Sequence, residues 1–427
     1  MYKQYIKQAF RLLCENLLLS VITIIGTALA VSIIMIIIIL VRAKTANYEP
    51  EVNRDRSLYV SWTSAVRKDN ENHRNYSWLS LYDIREAFYP LEIPEAVSAT
   101  YEYGNMLISV PGKNDVTISR VIYTDAAFWR VYQFSFLAGK PYNQETFESG
   151  IKQAVINESV ARQLYGSVEL AVGKRIDVNY VEFIVSGVVK DVSKFAELSY
   201  AEVWLPYTSN SEISTINTDQ WGDGHSGAFR CVILARTRAD FPAIKSELSE
   251  SIARMNANSP NFYLDIDTQP MNFNEQLTRK YSTGGPTYRQ TVTRYLVIIF
   301  IILLVPAINL SSLTLSRMRK RLPEMGVRKA FGAGSGSLLN QVLFENLILT
   351  LLGGIVGLLF SYLTIWSLSG WLLASDLGGV ATMHTSMISP WIFLVALGFC
   401  LLLNLLSAGI PAWRVTHTAV VNALNEK

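Results

Sequence analysis

Four long apolar runs constrain this chain more than any other feature of its sequence. A bilayer core about 30 Å thick is crossed by a helix of about 20 apolar residues. Half of all residues are hydrophobic and only 17% are charged, which is unusual for a soluble protein. We therefore expect a membrane protein, with an α-helical bundle of four transmembrane helices and a large α+β extracytoplasmic domain between the first and second helices. The predicted spans are residues 17–41, 295–315, 338–366 and 390–413.

The first apolar run has the flanks of a secretory signal but the length of a membrane anchor. Lys3, Lys7 and Arg11 precede it. Its apolar core is much longer than the roughly 7 to 15 residues of a signal peptide, so we interpret it as a retained anchor. Residues 1–16 place apolar and basic side chains on opposite helical faces. This pattern fits a cytoplasmic amphipathic helix, and equally the start of the span itself.

Basic residues in the short loops predict the orientation of the spans. Loop 316–337 contains six of them, whereas loop 367–389 contains none. Because cytoplasmic loops are enriched in Lys and Arg, we expect 316–337 to be cytoplasmic and 367–389 to be periplasmic. Both termini, including the tail 414–427, are then cytoplasmic, and residues 42–294 lie outside.

Residues 42–294 are polar enough to fold as a soluble domain. The alternation in SLYVSWTSA, a capping box at Ser80 and the stretch VSATYEYGNMLIS predict one β-α-β unit. FRCVILART, a helix after Asp240 and NFYLDIDTQ predict a second unit. We expect both units to form one ferredoxin-like α+β layer from residues 42–111 and 226–294, with residues 112–225 as an inserted β-rich lobe.

The sequence contains no motif that indicates catalysis or metal binding. HExxH, GxSxG, CxxC and Walker A patterns do not occur in it, and a net charge of +3 is too small to indicate a nucleic-acid partner. Cys14, Cys231 and Cys400 fall in different compartments of the predicted topology, so we expect no disulfide. We interpret His73 and His225 as surface residues. We therefore predict no catalytic residue, metal, cofactor or enzymatic activity, since the candidate carboxylates are scattered over separate elements: Asp83, Asp125, Asp177 and Asp191.

The charged segment between the second and third runs has the end signals of a short helix. Pro323 suits the first helical position, Glu324 and Arg328 form an i, i+4 pair, and Gly332 can end the helix. A helix of about two turns needs a partner surface to be stable. The paired end signals favour a docking helix, whereas the basic residues alone would also fit a solvated cytoplasmic loop.

Residues 317–362 resemble the FtsX-like permeases of ABC transporters. The shared pattern is E-x-G-x-R-K-A-x-G-A, then a Glu and a Gly-rich helix, and it falls on Glu324, Gly326, Arg328, Lys329, Ala330, Gly332, Ala333, Glu345, Gly353, Gly354 and Gly357. The outside segment resembles the MacB-type periplasmic core through DAAFWRVYQFSFLAGK (125–140), AVINESVARQLYG (154–166), VGKRI (172–176), VSGVVKDV (185–192) and VWLPY (203–207). IPAWRV, residues 410–415, resembles the closing motif of the family.

The resemblance implies a multi-pass permease subunit of a type VII ABC transporter in the bacterial inner membrane. It implies a porter-like layer outside, ATP hydrolysis in a separate ABC ATPase subunit, and a homodimer or a heterodimer with a related permease in the lipid bilayer. The expected role is efflux or relocation of a substrate, with a periplasmic adaptor and an outer-membrane duct as further partners. The alternative is an FtsX-like signal transmitter that regulates cell-wall hydrolases without transport. The family's coupling helix would place ATPase contacts at Glu324, Gly326, Val327, Arg328, Lys329, Phe331, Gly332 and Ala333.

Three positions in the third predicted span each have two interpretations. Gly353 and Gly357 form a GxxxG pattern that permits close helix contact, either at a dimer seam or within one chain. Glu345 lies in the early turns of the span, where a carboxylate can stabilise the helix or take part in coupling. No predicted span has a charge near its centre, so the sequence does not indicate an ion path.

Overall fold

The computed structural model describes seven continuous segments and a set of isolated positions. The segments are residues 17–113, 116–194, 196–216, 222–278, 288–298, 300–301 and 335–372, and the remaining positions are 308, 312, 316, 327, 331, 334, 391, 393–394, 397–398 and 401–402. The chain divides into two compact units, which we call the helical unit (1–44 and 292–427) and the α+β unit (45–291).

Two described helices of the helical unit are long and apolar enough to cross a membrane. They are Leu17–Thr45 and Ser335–Leu372, which contain the apolar stretches Ser20–Ile39 and Leu347–Thr364. They correspond to the first and third predicted spans. The second and fourth predicted spans lie largely outside the described residues, so the count of four transmembrane helices stays a prediction.

Thirteen strands lie in the described part of the α+β unit. They are β1 (Ser57–Val60), β2 (Trp62–Arg67), β3 (Arg74–Trp78), β4 (Ala96–Ser109), β5 (Val116–Thr124), β6 (Phe136–Gly139), β7 (Gln153–Asn157), β8 (Arg175–Val178), β9 (Val181–Val189), β10 (Val203–Pro206), β11 (Phe229–Leu234), β12 (Phe262–Asp265) and β13 (Met271–Asn272). The helices of this unit are mostly short: Leu81–Asp83, which continues as the π-turn Ile84–Phe88, then Phe128–Val131, Gln144–Glu148, Glu158–Tyr165, Val168–Ala171, Ser211–Ser214, Phe241–Asn258 and Phe273–Thr278.

The strands form a large mixed sheet and a small antiparallel one. The large sheet has the order β13-β1-β11-β4-β5-β10-β7-β9-β6, and β8 pairs with both β4 and β9. Its β5–β10 and β7–β9 pairs are parallel. The small sheet has the order β12-β2-β3.

The longest helix of this unit, Phe241–Asn258, is formed where its sequence predicts it. Thr237 and Asp240 make a capping box just before it, and a proline occupies its first turn. Ile244, Leu248 and Ile252 recur at helical spacing and are all buried. The β-α-β order of both predicted units is present, with this helix between β11 and β12.

The predicted single layer is divided between two sheets. SLYVSWTSA is not one strand, because the chain leaves the large sheet after Val60 and enters the small sheet at Trp62. β1 and β11 therefore lie in the large sheet, whereas β2 and β12 pair in the small one. Strands from residues 112–225 continue the large sheet beyond β4, so this segment shares a sheet with the rest of the unit.

Both faces of the large sheet are covered. Alternate residues of β1 and β11 belong to different buried clusters, as period-two alternation requires. Leu58 and Cys231 lie in the larger cluster with Leu248 of the long helix. Tyr59 and Val232 lie in the second cluster, which is centred on aromatic side chains including Phe128, Tyr132 and Trp204.

Candidate functional site

A buried arginine organises the chain segment that follows the first helix. Arg54 is 2% exposed. Its Nε donates to Glu51 Oε2 at 2.7 Å, Nη1 donates to the Ala46 carbonyl at 2.7 Å, and Nη2 donates to Tyr48 Oη at 2.8 Å. The guanidinium carbon lies 4.2 Å from the centroid of the Tyr48 ring and 4.4 Å from that of Phe273. We call these five residues the Arg54 cluster.

Glu51 connects this cluster to the aromatic core. Its Oε1 accepts hydrogen bonds from the backbone N–H and the hydroxyl of Ser199, at 3.1 and 2.8 Å. The Ser199 carbonyl in turn accepts from Trp204 Nε1 at 3.1 Å. Glu51 is 1% exposed, so both of its oxygens are satisfied by donors within the protein, as a buried carboxylate requires.

The charge of the cluster is retained in spite of burial. Burial opposes the charge on Arg54, but the nearby Glu51 carboxylate and the Tyr48 hydroxyl outweigh it and raise the Arg54 pKa above its ordinary value. Burial also raises the pKa of Tyr48 well above its ordinary value. The cluster therefore contains a charged guanidinium and a neutral phenol, and removing either Arg54 or Glu51 would leave its salt-bridge partner unpaired.

The Arg54 cluster joins the two chain segments that lead to the helical unit. Ala46 follows directly on the helix Leu17–Thr45. Phe273 begins the helix Phe273–Thr278, which precedes the helical residues 288–298 in the chain. Phe273 also contacts the Tyr59 ring at a centroid distance of 5.7 Å, and β13 beside it pairs with β1. One guanidinium thus holds together the first residues of the α+β unit and the segment that begins at Phe273.

Gly353 and Gly357 lie against the first helix of the same chain. A Cβ at Gly353 would come within 2.7 Å of Thr27 Cβ, and one at Gly357 within 2.7 Å of the Ala28 carbonyl oxygen. Ser32 Oγ lies 2.8 Å from the Gly357 carbonyl and 2.7 Å from the Ala28 carbonyl, so its single O–H is shared between the two helices. Both glycines therefore serve packing within the chain, and their role in a dimer seam stays a prediction.

Only two residues of the predicted ATPase-coupling segment are described. The Phe331 N–H donates to the Val327 carbonyl at 3.1 Å, which is a helical i to i+4 bond. Val327 is 46% exposed and Phe331 is 88% exposed. The other predicted coupling residues lie outside the described residues: Glu324, Gly326, Arg328, Lys329, Gly332 and Ala333. Glu345 is helical, but its side chain is outside the described part of the chain.

His225 is not a surface residue, which corrects the prediction. It is completely buried. Its Nδ1 lies 2.6 Å from Asp83 Oδ1 and its Nε2 lies 2.8 Å from Ser259 Oγ. Gly227, two residues later, allows this burial, because a Cβ there would lie 2.3 Å from the Leu79 carbonyl oxygen. The other histidine, His73, is exposed as predicted.

Asp83, His225 and Ser259 connect three distant segments. Asp83 Oδ2 also accepts from the Ser80 N–H in the predicted capping box. Ser259 follows the helix Phe241–Asn258, and its carbonyl accepts from Lys68 Nζ at 2.6 Å. Asp83 and Ser259 are buried as well as His225, so this Ser-His-Asp arrangement braces the interior and presents no nucleophile at the surface.

Asp125 is a third buried carboxylate, after Glu51 and Asp83. Oδ1 accepts from Ser98 Oγ and the Phe128 N–H, and Oδ2 accepts from the Ala99 N–H and Tyr89 Oη, all within 2.8–2.9 Å. Burial raises the Asp125 pKa from 3.8 to about 6, against these donors, which lower it. Asp125 therefore ties three separate segments together through uncharged donors.

The remaining candidate carboxylates do not join either buried network. Asp191 accepts from the N–H and hydroxyl of Ser159 in an exposed position, and Asp177 lies in β8. Among the described residues, no group of three or more His, Cys, Asp or Glu side chains could hold a metal ion. Cys231 is buried and has no disulfide partner.

Comparison with known families gives two matches that together span most of the chain. Residues 20–251 match the MacB-like periplasmic core domain, and residues 296–420 match the FtsX-like permease C-terminal domain. The chain is 25% identical over 318 residues to the macrolide export ATP-binding/permease protein MacB of Pasteurella multocida, covering 73% of this chain and 44% of that protein. It is 27% identical over 239 residues to MacB of Burkholderia cenocepacia, covering 55% of this chain and 32% of that protein.

The chain thus spans less than half of the length of these curated relatives. Among solved structures, the periplasmic region of MacB from Actinobacillus actinomycetemcomitans is similar. The match has a TM-score of 0.37 at 16% identity and covers 55% of this chain and 96% of that one.

Proposed function

We propose that this chain, which belongs to the MacB-like and FtsX-like family of ABC permeases, couples ATP hydrolysis in a separate ATPase subunit to conformational change of its periplasmic domain. The result of that change is efflux or relocation of a substrate outside the inner membrane. The chain would act as a homodimer or as a heterodimer with a related permease, with both termini in the cytoplasm. A periplasmic adaptor and an outer-membrane duct would complete an efflux system.

The observation that carries this proposal is the Arg54 cluster. A permease that works by moving its outer domain needs a firm connection where the chain passes from membrane helix to domain. Arg54 binds the carbonyl of Ala46, the first residue after the helix Leu17–Thr45, and through Glu51 it is joined to Ser199. Removing one partner of such a buried pair costs about 3–5 kcal/mol. The cluster would therefore stay intact when the end of the helix moves, and the movement would be passed to the domain.

The same guanidinium contacts Phe273, so the segment that leads to the second predicted span is held to the segment that follows the first predicted span. The two segments would then move together when the helices move. In the helical unit, close packing at Gly353 and Gly357 binds the third predicted span to the first. Through this packing, movement of the third predicted span would reach the first, which continues in the chain into residues 45–54.

The proposed ATPase contact is tested best at Phe331, which is the most exposed aromatic side chain of the predicted coupling segment. Phe331→Ala removes this side chain with little effect on the fold, because it has few contacts to lose. Loss of an aromatic anchor at an interface costs about 2 kcal/mol or more. We therefore expect the detergent-solubilised variant to retain at least about tenfold less ATPase subunit than wild type.

Phe360→Ala is the matched control, since Phe360 is a 49% exposed phenylalanine in the long helix Ser335–Leu372. Equal ATPase retention by the two variants would refute the docking assignment. Coupling is tested separately, by hydrogen–deuterium exchange of the purified complex with and without ATP. Unchanged exchange throughout residues 45–278 on addition of ATP would refute the coupling of hydrolysis to the periplasmic domain.

A further inference from the structure

A cavity of about 420 Å³ opens between the helix Ser211–Ser214 and the strands β4 and β11. Its size is in the range of small-molecule sites. One wall is aromatic: Tyr82 and Tyr101 are partly exposed in the lining, and the Tyr101 ring meets the buried Phe229 ring edge to face at 5.1 Å. Ile213, also in the lining, is buried. The cavity therefore presents more polar than apolar surface, together with two tyrosine rings that a ligand ring can contact.

Glu212 provides the only charge in the lining of this cavity as the structure describes it. Asn210 Oδ1 accepts from the Glu212 N–H at 3.0 Å and fixes the backbone of the short helix. In the described part of the chain, the Glu212 carboxylate has neither an ion pair nor a hydrogen bond. A carboxylate at the edge of an aromatic wall favours a cation, since the face of an aromatic ring also attracts positive charge.

The buried His225 network positions the aromatic wall. The Tyr82 ring lies 5.5 Å from the His225 ring, and the imidazole is fixed by Asp83 and Ser259 on its two nitrogens. Neighbours of His225 in the chain, Gly224 and Ser226, also line the cavity. Rigid support of the Tyr82 ring lowers the conformational entropy that the protein loses when a ligand binds.

We propose that this cavity binds a small organic amine, whose protonated nitrogen meets Glu212 and whose one or two rings lie against Tyr82 and Tyr101. This assignment combines the single charge, the aromatic wall and the volume. It is independent of ATPase docking at residues 324–333, so either proposal can fail without the other.

The test uses the full chain in lipid nanodiscs and three probes that share an indole ring: tryptamine, tryptophol and indole-3-acetate. The side chain of tryptamine is positively charged, that of tryptophol is neutral, and that of indole-3-acetate is negatively charged. Binding is measured by isothermal titration calorimetry, with the heat of empty nanodiscs subtracted. Because a partly exposed ion pair changes affinity by about fivefold, we expect tryptamine to bind about fivefold more tightly than tryptophol, and indole-3-acetate to bind most weakly.

Glu212→Gln should reduce tryptamine affinity about fivefold and leave tryptophol affinity unchanged. Glu250→Gln is the control, because it removes an equal charge from an exposed site on the helix Phe241–Asn258. Thr215→Trp places a large side chain at an exposed position of the lining and should abolish binding of both probes.

Three results would each overturn the assignment. They are equal wild-type affinities for tryptamine and tryptophol, equal tryptamine affinities in Glu212→Gln and Glu250→Gln, and no tryptamine heat above empty nanodiscs at millimolar concentration.

Discussion

Replacing Arg54 tests whether its cluster holds the two connecting segments of the periplasmic domain together. Arg54→Met keeps an unbranched side chain between Tyr48 and Phe273 but removes three donors. Glu51 would then be a buried, unpaired carboxylate, for which a cost of about 3–5 kcal/mol is typical. Since Glu51 Oε1 keeps both bonds from Ser199, we expect the lower end, about 3 kcal/mol.

Hydrogen–deuterium exchange of the full chain measures this cost locally. A loss of about 3 kcal/mol corresponds to exchange about 100-fold faster for amides that open with the cluster. We expect the increase in β1 and in residues 46–54, which surround Arg54, with less change in β7 and β9 on the far side of the sheet. Glu51→Gln combined with Arg54→Met should recover much of the loss, because no uncompensated charge remains.

Arg162→Met provides the control for Arg54. Arg162 makes an i, i+4 ion pair with Glu158, and its side chain is 60% exposed, so its loss should cost less than about 0.5 kcal/mol. The reasoning would be refuted if Arg54→Met altered exchange in β1 no more than Arg162→Met did. It would also be refuted if ATP-dependent exchange changes in the wild-type complex persisted in full in Arg54→Met, since the cluster would then not transmit movement.

Further predictions concern pH, helix packing, topology and hydrolysis. Because the Asp125 pKa is raised in the folded state to about 6, its stabilising contribution is complete below its ordinary value of 3.8 and is lost as pH rises through about 6. The free energy of unfolding should therefore be about 3 kcal/mol lower above this pH range than below it. Denaturant titrations at a series of pH values should show this decrease in wild type but not in Asp125→Asn. Gly357→Ala should lower thermal stability, because its Cβ would meet the Ala28 carbonyl, whereas Gly26→Ala, with nothing within 4 Å, should not. Single cysteines at Ser149 and Ser335 in a cysteine-free background should react with an impermeant thiol reagent in intact cells only at Ser149, and the reverse pattern would contradict the topology. The isolated chain should not hydrolyse ATP, and reproducible hydrolysis without a second protein would refute the assignment to a separate ATPase.

The sequence allowed prediction of those elements whose signals are local. The helix Phe241–Asn258 has a cap, a first-turn proline and apolar residues at helical spacing, and the capping box at Ser80 is formed as predicted. The break at Ser61 could not be predicted, because apolar alternation continues through it while the chain changes sheets. The apolar alternation predicted that these residues form strands, but it did not predict which sheet each strand belongs to.

The buried polar residues were harder to predict because their partners are remote in sequence. His225 and Asp83 are 142 positions apart, and burial of His225 depends on close backbone approach at Gly227. The Arg54 cluster gave no signal, because basic and aromatic residues after a transmembrane run are expected at the membrane interface whether or not they are buried. A glycine-rich stretch around a lone histidine was the one available hint, and it indicates a tight turn as readily as a buried contact.

Two buried charged groups of the periplasmic domain are held in opposite ways, and this difference suits only one of them to transmit movement. Arg54 has a carboxylate partner at 2.7 Å, which raises the Arg54 pKa and stabilises the charged guanidinium. Asp125 is bound in the described structure by uncharged donors, and burial raises its pKa toward neutrality. The hydrogen bonds of Asp125 can therefore weaken or strengthen with protonation near pH 6, whereas the Arg54 guanidinium stays charged over the same range. The proposed coupling requires a connection that does not change with pH over this range, and Arg54 contacts both the residue after the first helix and the segment that begins at Phe273.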